Sequence, residues 1–320
     1  MKLVPADGAI LGQILHESHP IWCDGLSPHA YAQFNAAQLR TPWGSRHLTR
    51  CALVDVEGHL LTSAKRYQLQ VKIDDRMVRA VGIGAVFTPA SQRGNGYAPA
   101  IIERILDAAR DEGAELAVLF TEIGTQYYER LGFMPVPLHQ LLLSVIEKPG
   151  APMVLVRGGE ERDIPAVTAL ATSMVNGYRF ALVPTADAIR FSLTKKRLLA
   201  GLSSPGALTV EFFIVEEGAS AVAFLILTTA GDDVVLEMCG DRDPSGARVG
   251  AMIQVLRART PSEKALKLRG VLPPGWHPPQ VDIVAVAKSP DVLMVKPLKD
   301  GVLSRPLRED DVLFWHGDLF

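Results

Sequence analysis

The chain has few cysteines, no block of like charge and no long apolar run. Three cysteines, Cys23, Cys51 and Cys239, are scattered over 320 residues without pair spacing, which excludes a disulfide framework and a cysteine-based zinc site. His16 and His19 stand at helical i, i+3 spacing but lack a matching ligand cluster, so no metal is expected. Thirty-three basic against 35 acidic residues give a net charge of −2, with no basic patch to attract nucleic acid. No segment approaches the roughly 18 uninterrupted apolar residues that a membrane span needs. The opening MKLVPADGAILGQILHESHP sets Asp7 and Glu17 around a short apolar stretch, so it reads as neither signal peptide nor anchor. A cytoplasmic chain with no membrane partner is the expectation, and its length suits two domains better than one core.

What is present is a glycine turn between a strand-like and a helix-like segment. Val81 to Thr88 (VGIGAVFT) is apolar, rich in β-branched residues and closed by Pro89. From Ala98 onward, Ile101, Ile102, Ile105, Leu106, Ala108 and Ala109 fall on one helical face and Glu103, Arg104, Asp107 and Arg110 on the other. Arg93-Gly94-Asn95-Gly96-Tyr97-Ala98 joins the two. The first turn of such a helix leaves backbone N–H groups unpaired, glycines let an anion approach them, and Arg93 adds positive charge, so the turn reads as a pyrophosphate site. A dinucleotide fingerprint fails because Pro99 stands where its third glycine belongs, and no Gly-Lys-[Ser/Thr] of a P-loop follows.

The remaining pattern, [QR]-x-x-G-x-[GA], is met by Arg93, Gly96 and Ala98 and resembles the coenzyme A loop of the GCN5-related N-acetyltransferase (GNAT) family. Glu115 to Thr121 (ELAVLFT) reads as a second strand, and Tyr127-Tyr128-Glu129-Arg130-Leu131-Gly132-Phe133 resembles that family's Tyr-x-x-x-Gly-Phe element. The resemblance implies an α/β (α+β) fold with a mixed, mostly antiparallel sheet flanked by helices. It also implies acetyl-CoA as donor substrate. Backbone at Val86, Phe87 and Thr88 would line the pantetheine arm, and Arg93, Gly94, Asn95, Gly96, Tyr97 and Ala98 would hold the phosphates. Tyr128 would be the general acid for the departing thiolate. Thr121 stands where many members carry asparagine, which puts that cofactor contact in doubt. Glu122, just past the second strand, is the candidate general base, with a solvated surface carboxylate as the alternative. Local similarity to fungal enzymes that acetylate free lysine makes a small-molecule or peptide amine the acceptor to try. A sensor that binds acyl-CoA without turnover is the other reading.

The expected domains are 1–150, the GNAT domain; 151–300, a degenerate copy; and 301–320, a tail docking back. Early strands are read at Cys51 to Val56 and Gly58 to Ser63, and a late one at Leu141 to Ile146. Turn residues at Lys148 to Pro152 mark the boundary. Beyond it, Ala151 to Arg157, Phe212 to Glu216, Ala221 to Thr228, Val234 to Cys239 and Val281 to Ala287 read as strands. Helices follow Asp163, a plausible N-cap, and span Ala247 to Ala258. In the second half Gly240-Asp241-Arg242-Asp243-Pro244-Ser245-Gly246 offers aspartates where a phosphate needs bare N–H groups, and no Tyr-x-x-x-Gly-Phe follows. The apolar C-terminus resembles tandem acetyltransferases of the enhanced-intracellular-survival type, which suggests Phe320, through its carboxylate, or Asp318 near Tyr128. A homodimer is left open.

Overall fold

A computed structural model describes residues 1–145, 154–259, 267–279 and 281–318. The turn at 148–152, the strand ends read at Ile146 and Ala151, and Phe320 lie outside them. Contacts divide the chain into two compact units, Met1–Pro137 with Pro290–Arg308, and Leu138–Ser289 with residues 309–318. Among the described residues no helix is long and apolar enough to cross a membrane.

The chain opens with β1 (Lys2–Pro5), α1 (Gly8–Trp22), α2 (Pro28–Arg40) and a single turn, α3 (Gly44–His47). There follow β2 (Leu48–Val54), β3 (Leu60–Ile73), β4 (Arg76–Phe87), α4 (Tyr97–Asp111), β5 (Leu116–Thr121), the short α5 (Gln126–Glu129) and β6 (Met134–Val136). Next come β7 (His139–Val145), β8 (Leu155–Gly158), α6 (Ile164–Val175), β9 (Phe180–Leu182) and α7 (Ala186–Leu202). The chain continues with β10 (Thr209–Glu217), β11 (Ser220–Ala230), β12 (Asp233–Asp241), α8 (Ala247–Arg259), β13 (Lys267–Gly270) and β14 (Val281–Lys288). It ends with β15 (Val292–Pro297) and β16 (Val312–Leu313).

In the first unit the sheet order is β1-β2-β3-β4-β5-β15-β6. The ladder is antiparallel except between β4 and β5, which run parallel with α4 as their crossover. The amphipathic pattern of α4 explains its seat: Ile101, Ile102, Ile105, Leu106 and Ala109 are buried against Val81, Ile83, Ala117, Leu119 and Met294. Burying an isoleucine side chain contributes about 1.5–3 kcal/mol, so this stripe fixes the helix on the sheet.

In the second unit the order is β14-β7-β13-β12-β11-β10-β8. Helices α6 and α8 bury Val167, Leu170, Val249, Met252 and Ile253 against Phe224, Ile226 and Leu236 of β11 and β12. Asp163, read as an N-cap, makes no side-chain cap for α6. Its carboxylate accepts two bonds of 2.7 Å from Arg157 and one from the Glu160 N–H, because a buried carboxylate gains more from a bidentate guanidinium than from a helix amide.

Two strands sit where local sequence did not put them. β7, read as the last strand of the first domain, pairs with β13 and β14 in the second unit. β15, missed in the sequence, pairs with β5 and β6 in the first. A strand's pattern records its burial; its partner is a long-range choice.

The C-terminal segment is held within the second unit. Leu313 and Trp315 enter the core, and Ser192 donates to the Gly317 carbonyl at 2.9 Å. Glu237, almost fully buried, receives Thr228 Oγ1 at 2.6 Å, Lys196 Nζ at 2.7 Å and His316 Nδ1 at 2.8 Å. Burial alone would raise its pKa, but His316 and Lys196 outweigh it and hold the carboxylate at about 2. Asp318 accepts the Trp315 N–H at 2.9 Å, and burial lifts its pKa to about 7.

Candidate active site

The site of the first unit is built by two parallel strands that part. β4 and β5 pair from Ala80 opposite Leu116 to Ile83 opposite Leu119, and no further. Beyond that point Ala85 adopts φ +46°, a left-handed backbone that a residue with a Cβ rarely takes. Opposite it the β3 register slips, Lys65 facing Gly84 and Ser63 facing Phe87. This is a β-bulge, which bends β4 and increases its twist. The last residues of β4 therefore leave β5, and a slot opens beside Gly84 to Phe87.

The slot's first wall carries residues named from sequence. Val86 is half-buried against the core. Phe87 is buried with its ring edge-on to Trp22 at 6.2 Å. The Phe87 carbonyl accepts from Thr62 Oγ1 at 2.9 Å, and Thr88 Oγ1 lies 3.0 Å from the same hydroxyl. At the end of the strand, Arg93 is exposed, and its Nε donates to the Thr88 carbonyl at 3.2 Å.

Gly94 and Gly96 take φ of +80° and +76°, and nothing lies within 4 Å of where a Cβ would stand on either. Gly96 is the N-cap of α4, without a side-chain cap. Asn95 donates its side-chain amide to the Gln92 carbonyl at 3.2 Å. Tyr97 opens the helix and packs on the core, followed by Ala98. Among the described residues no protein acceptor meets the N–H groups of Gly94 to Ala98. An uncapped helix start with open glycines beside an arginine has the donors and the room to take an anion.

The corresponding turn of the second unit is filled by its own chain. The Asp241 carboxylate accepts the N–H groups of Asp243 at 2.9 Å and Arg248 at 2.8 Å, and the Arg248 guanidinium at 3.0 Å. A Cβ on Gly246 would meet the Trp276 ring at 2.4 Å, so the indole sits against the glycine and closes the approach to α8.

The slot's second wall follows β5. Thr121 is buried, its hydroxyl 3.4 Å from the Gly124 carbonyl. Glu122 is exposed, yet its carboxyl pKa is raised by partial burial, then by the charge of Asp291 and a hydrogen bond with it, then by Asp24. Asp24 and Asp291, from the α1–α2 loop and the start of β15, were not read as site residues. No local signal could have joined positions so far apart. Tyr128 is buried, edge-on to Tyr127 at 5.0 Å and to Phe133 at 6.2 Å. Burial, then the neighbouring Tyr127, push its pKa up to about 12. The Tyr127 hydroxyl is buried and unpartnered. Lys296 of β15 donates to the Leu131 carbonyl at 2.6 Å and lies over the Phe133 ring, fixing the turn that carries both tyrosines.

Residues 28–136 match the family model described as an acetyltransferase (GNAT) domain. No curated protein matches the sequence. Solved structures share the fold. A GCN5-related N-acetyltransferase from Anabaena variabilis is 12% identical, with a TM-score of 0.67 over 93% of this chain and 73% of its own. One from Kribbella flavida is 16% identical, with 0.66 over 92% and 70%. A probable N-acyltransferase of Enterococcus faecalis is 11% identical, with 0.65 over 93% and 72%. Residues 28–136 therefore match a GNAT domain, on the sheet that carries the open glycine turn, and the two mostly antiparallel sheets flanked by helices have GNAT-fold neighbours over nearly the whole chain.

The bulge gives a stability test. Left-handed backbone costs an ordinary residue about 1 kcal/mol or more that glycine does not incur, so Ala85→Gly should raise the denaturation midpoint and Ala85→Val should lower it. Urea titration checks both. Equal stability for all three would place Ala85 in ordinary strand conformation.

Proposed function

We propose that the first unit moves an acetyl group from acetyl-CoA to the amine of a small molecule or peptide by direct transfer. The observation that carries this reading is the combination of the parted β4 edge with five acceptor-less N–H groups at the start of α4. A diphosphate fits the amides of Gly94 to Ala98, with Arg93 beside it, and an extended pantetheine arm fits the free backbone from Gly84 to Thr88, strand-fashion. The second unit, its turn occupied by Asp241 and Trp276, binds no coenzyme in this proposal and serves as the degenerate copy.

The chemistry asks little of the protein beyond position and two proton carriers. Glu122 takes the proton of the acceptor ammonium, and its raised pKa makes it a better base than a free carboxylate. The amine nitrogen forms a C–N bond to the thioester carbonyl, the C–S bond breaks with its electron pair leaving on sulfur, and the nitrogen's second proton passes to solvent as the amide forms. Tyr128 stays protonated at neutral pH and donates its hydrogen bond to that sulfur. Because its pKa of about 12 exceeds a thiol's roughly 8.5, the donor acts mainly by stabilising the developing charge, and the proton the thiolate gains is restored from solvent. Thiol release from acetyl-CoA with an amine panel tests the proposal; binding without release under every amine would favour the acyl-CoA sensor instead.

Tyr128→Phe should lower kcat about 10²-fold with little change in acetyl-CoA affinity, since the hydroxyl acts on charge present only as the bond breaks. Unchanged turnover, read in steady-state kinetics, would return Tyr128 to packing and leave Tyr127 as the hydroxyl to test.

The acid limb of kcat/KM should follow Glu122. A base must be deprotonated, so activity falls as pH drops through its raised pKa. Asp291→Asn removes the carboxylate that, after burial, does most to raise that pKa, and the limb should move to lower pH. A limb that stays in place in the variant assigns the base elsewhere.

A further inference from the structure

Among the described residues, strand β14 stands at the edge of the second unit's sheet and pairs only with β7. Every residue from Asp282 to Lys288 is exposed. Among them Ile283, Val284 and Val286 show 39%, 51% and 60% of their surface, so both faces of the strand meet solvent as well as its outer edge. An apolar, proline-free edge of this length is an adhesive surface that native proteins blunt or cover. The ladder with β7 skips Val284, which has no opposite residue there.

The sequence of the strand is complementary to itself in the antiparallel sense. About a two-fold axis at Ala285, Asp282 faces Lys288 of the second strand, Ile283 faces Ala287 and Val284 faces Val286. Both ends then carry an opposite-charge pair and the centre carries apolar pairs, the combinations that stabilise antiparallel neighbours. A parallel or shifted pairing would lose these charge matches. A two-fold contact is also closed, so it consumes both edges and leaves none to propagate.

We propose that β14 is the dimerisation strand of this protein, pairing antiparallel with β14 of a second copy about Ala285. The test is the mass of the full chain in solution by sedimentation and light scattering across micromolar concentrations. The wild type should be a dimer. Val286→Lys, at an exposed position, should yield a folded monomer. Asp282→Lys sets lysine against lysine twice and should raise the dissociation constant about 10-fold, given the usual worth of a cross-strand charge pair. The double exchange Asp282→Lys with Lys288→Asp restores opposite signs and should return the dimer. A wild type that stays monomeric overturns the proposal, as does a dimer indifferent to Val286→Lys or one that the double exchange fails to restore.

Discussion

The site depends on one local conformation, the left-handed backbone of Ala85 in β4. Up to Ile83 the strand is bound to β5 by a parallel ladder; from the bulge onward, among the described residues, no strand pairs with that edge. Parallel sheets normally bury both edges of an inner strand, and an unpaired buried edge is costly. Here the edge remains near solvent, with Gly84, Ala85 and Val86 only half-buried. The bulge also turns the chain so that Thr88 and Arg93 lead into the glycine turn beneath the same slot. Strain at one residue thus frees strand backbone directly before the turn that leads to the helix start.

The two units show the same requirement met in opposite ways. A helix that begins just after a strand presents several amides with no helical partner. In the second unit the buried Asp241 carboxylate takes them, locked in place by Arg248, and Trp276 covers the glycine. In the first unit no acidic residue among the described ones meets the helix start, and the glycines keep the space open. One arrangement is complete in itself, whereas the other leaves donors for an anion from outside. The difference is electrostatic as much as steric, because a carboxylate already at a helix start also repels a phosphate.

Much of this was legible in the sequence because it is local. The GNAT resemblance rested on Arg93, Gly96 and Ala98 and on the Tyr-x-x-x-Gly-Phe element, and the period of Ile101 to Ala109 gave α4 to within a residue. Long-range choices left no local trace. VGIGAVFT reads as a straight strand, since nothing in alternating apolar residues announces a bulge at Ala85. The apolar run VLMV of β15 could mark a strand but not its neighbours β5 and β6. For the same reason Glu122 looked like a solvated surface carboxylate, because its partner Asp291 arrives with β15. The terminal segment carried a visible apolar signal, but its destination was set by Lys196, His316 and Glu237, residues brought together only by the fold.

The most direct measurement of the central claim is hydrogen exchange of the full chain with and without coenzyme A. If the freed edge and the open helix start together hold the nucleotide, amides of Gly84 to Thr88 and of Gly94 to Ala98 gain protection, and those of Asp243 to Arg248 stay as they were. Protection confined to the Asp243 to Arg248 turn, or none in either glycine turn, would contradict the account.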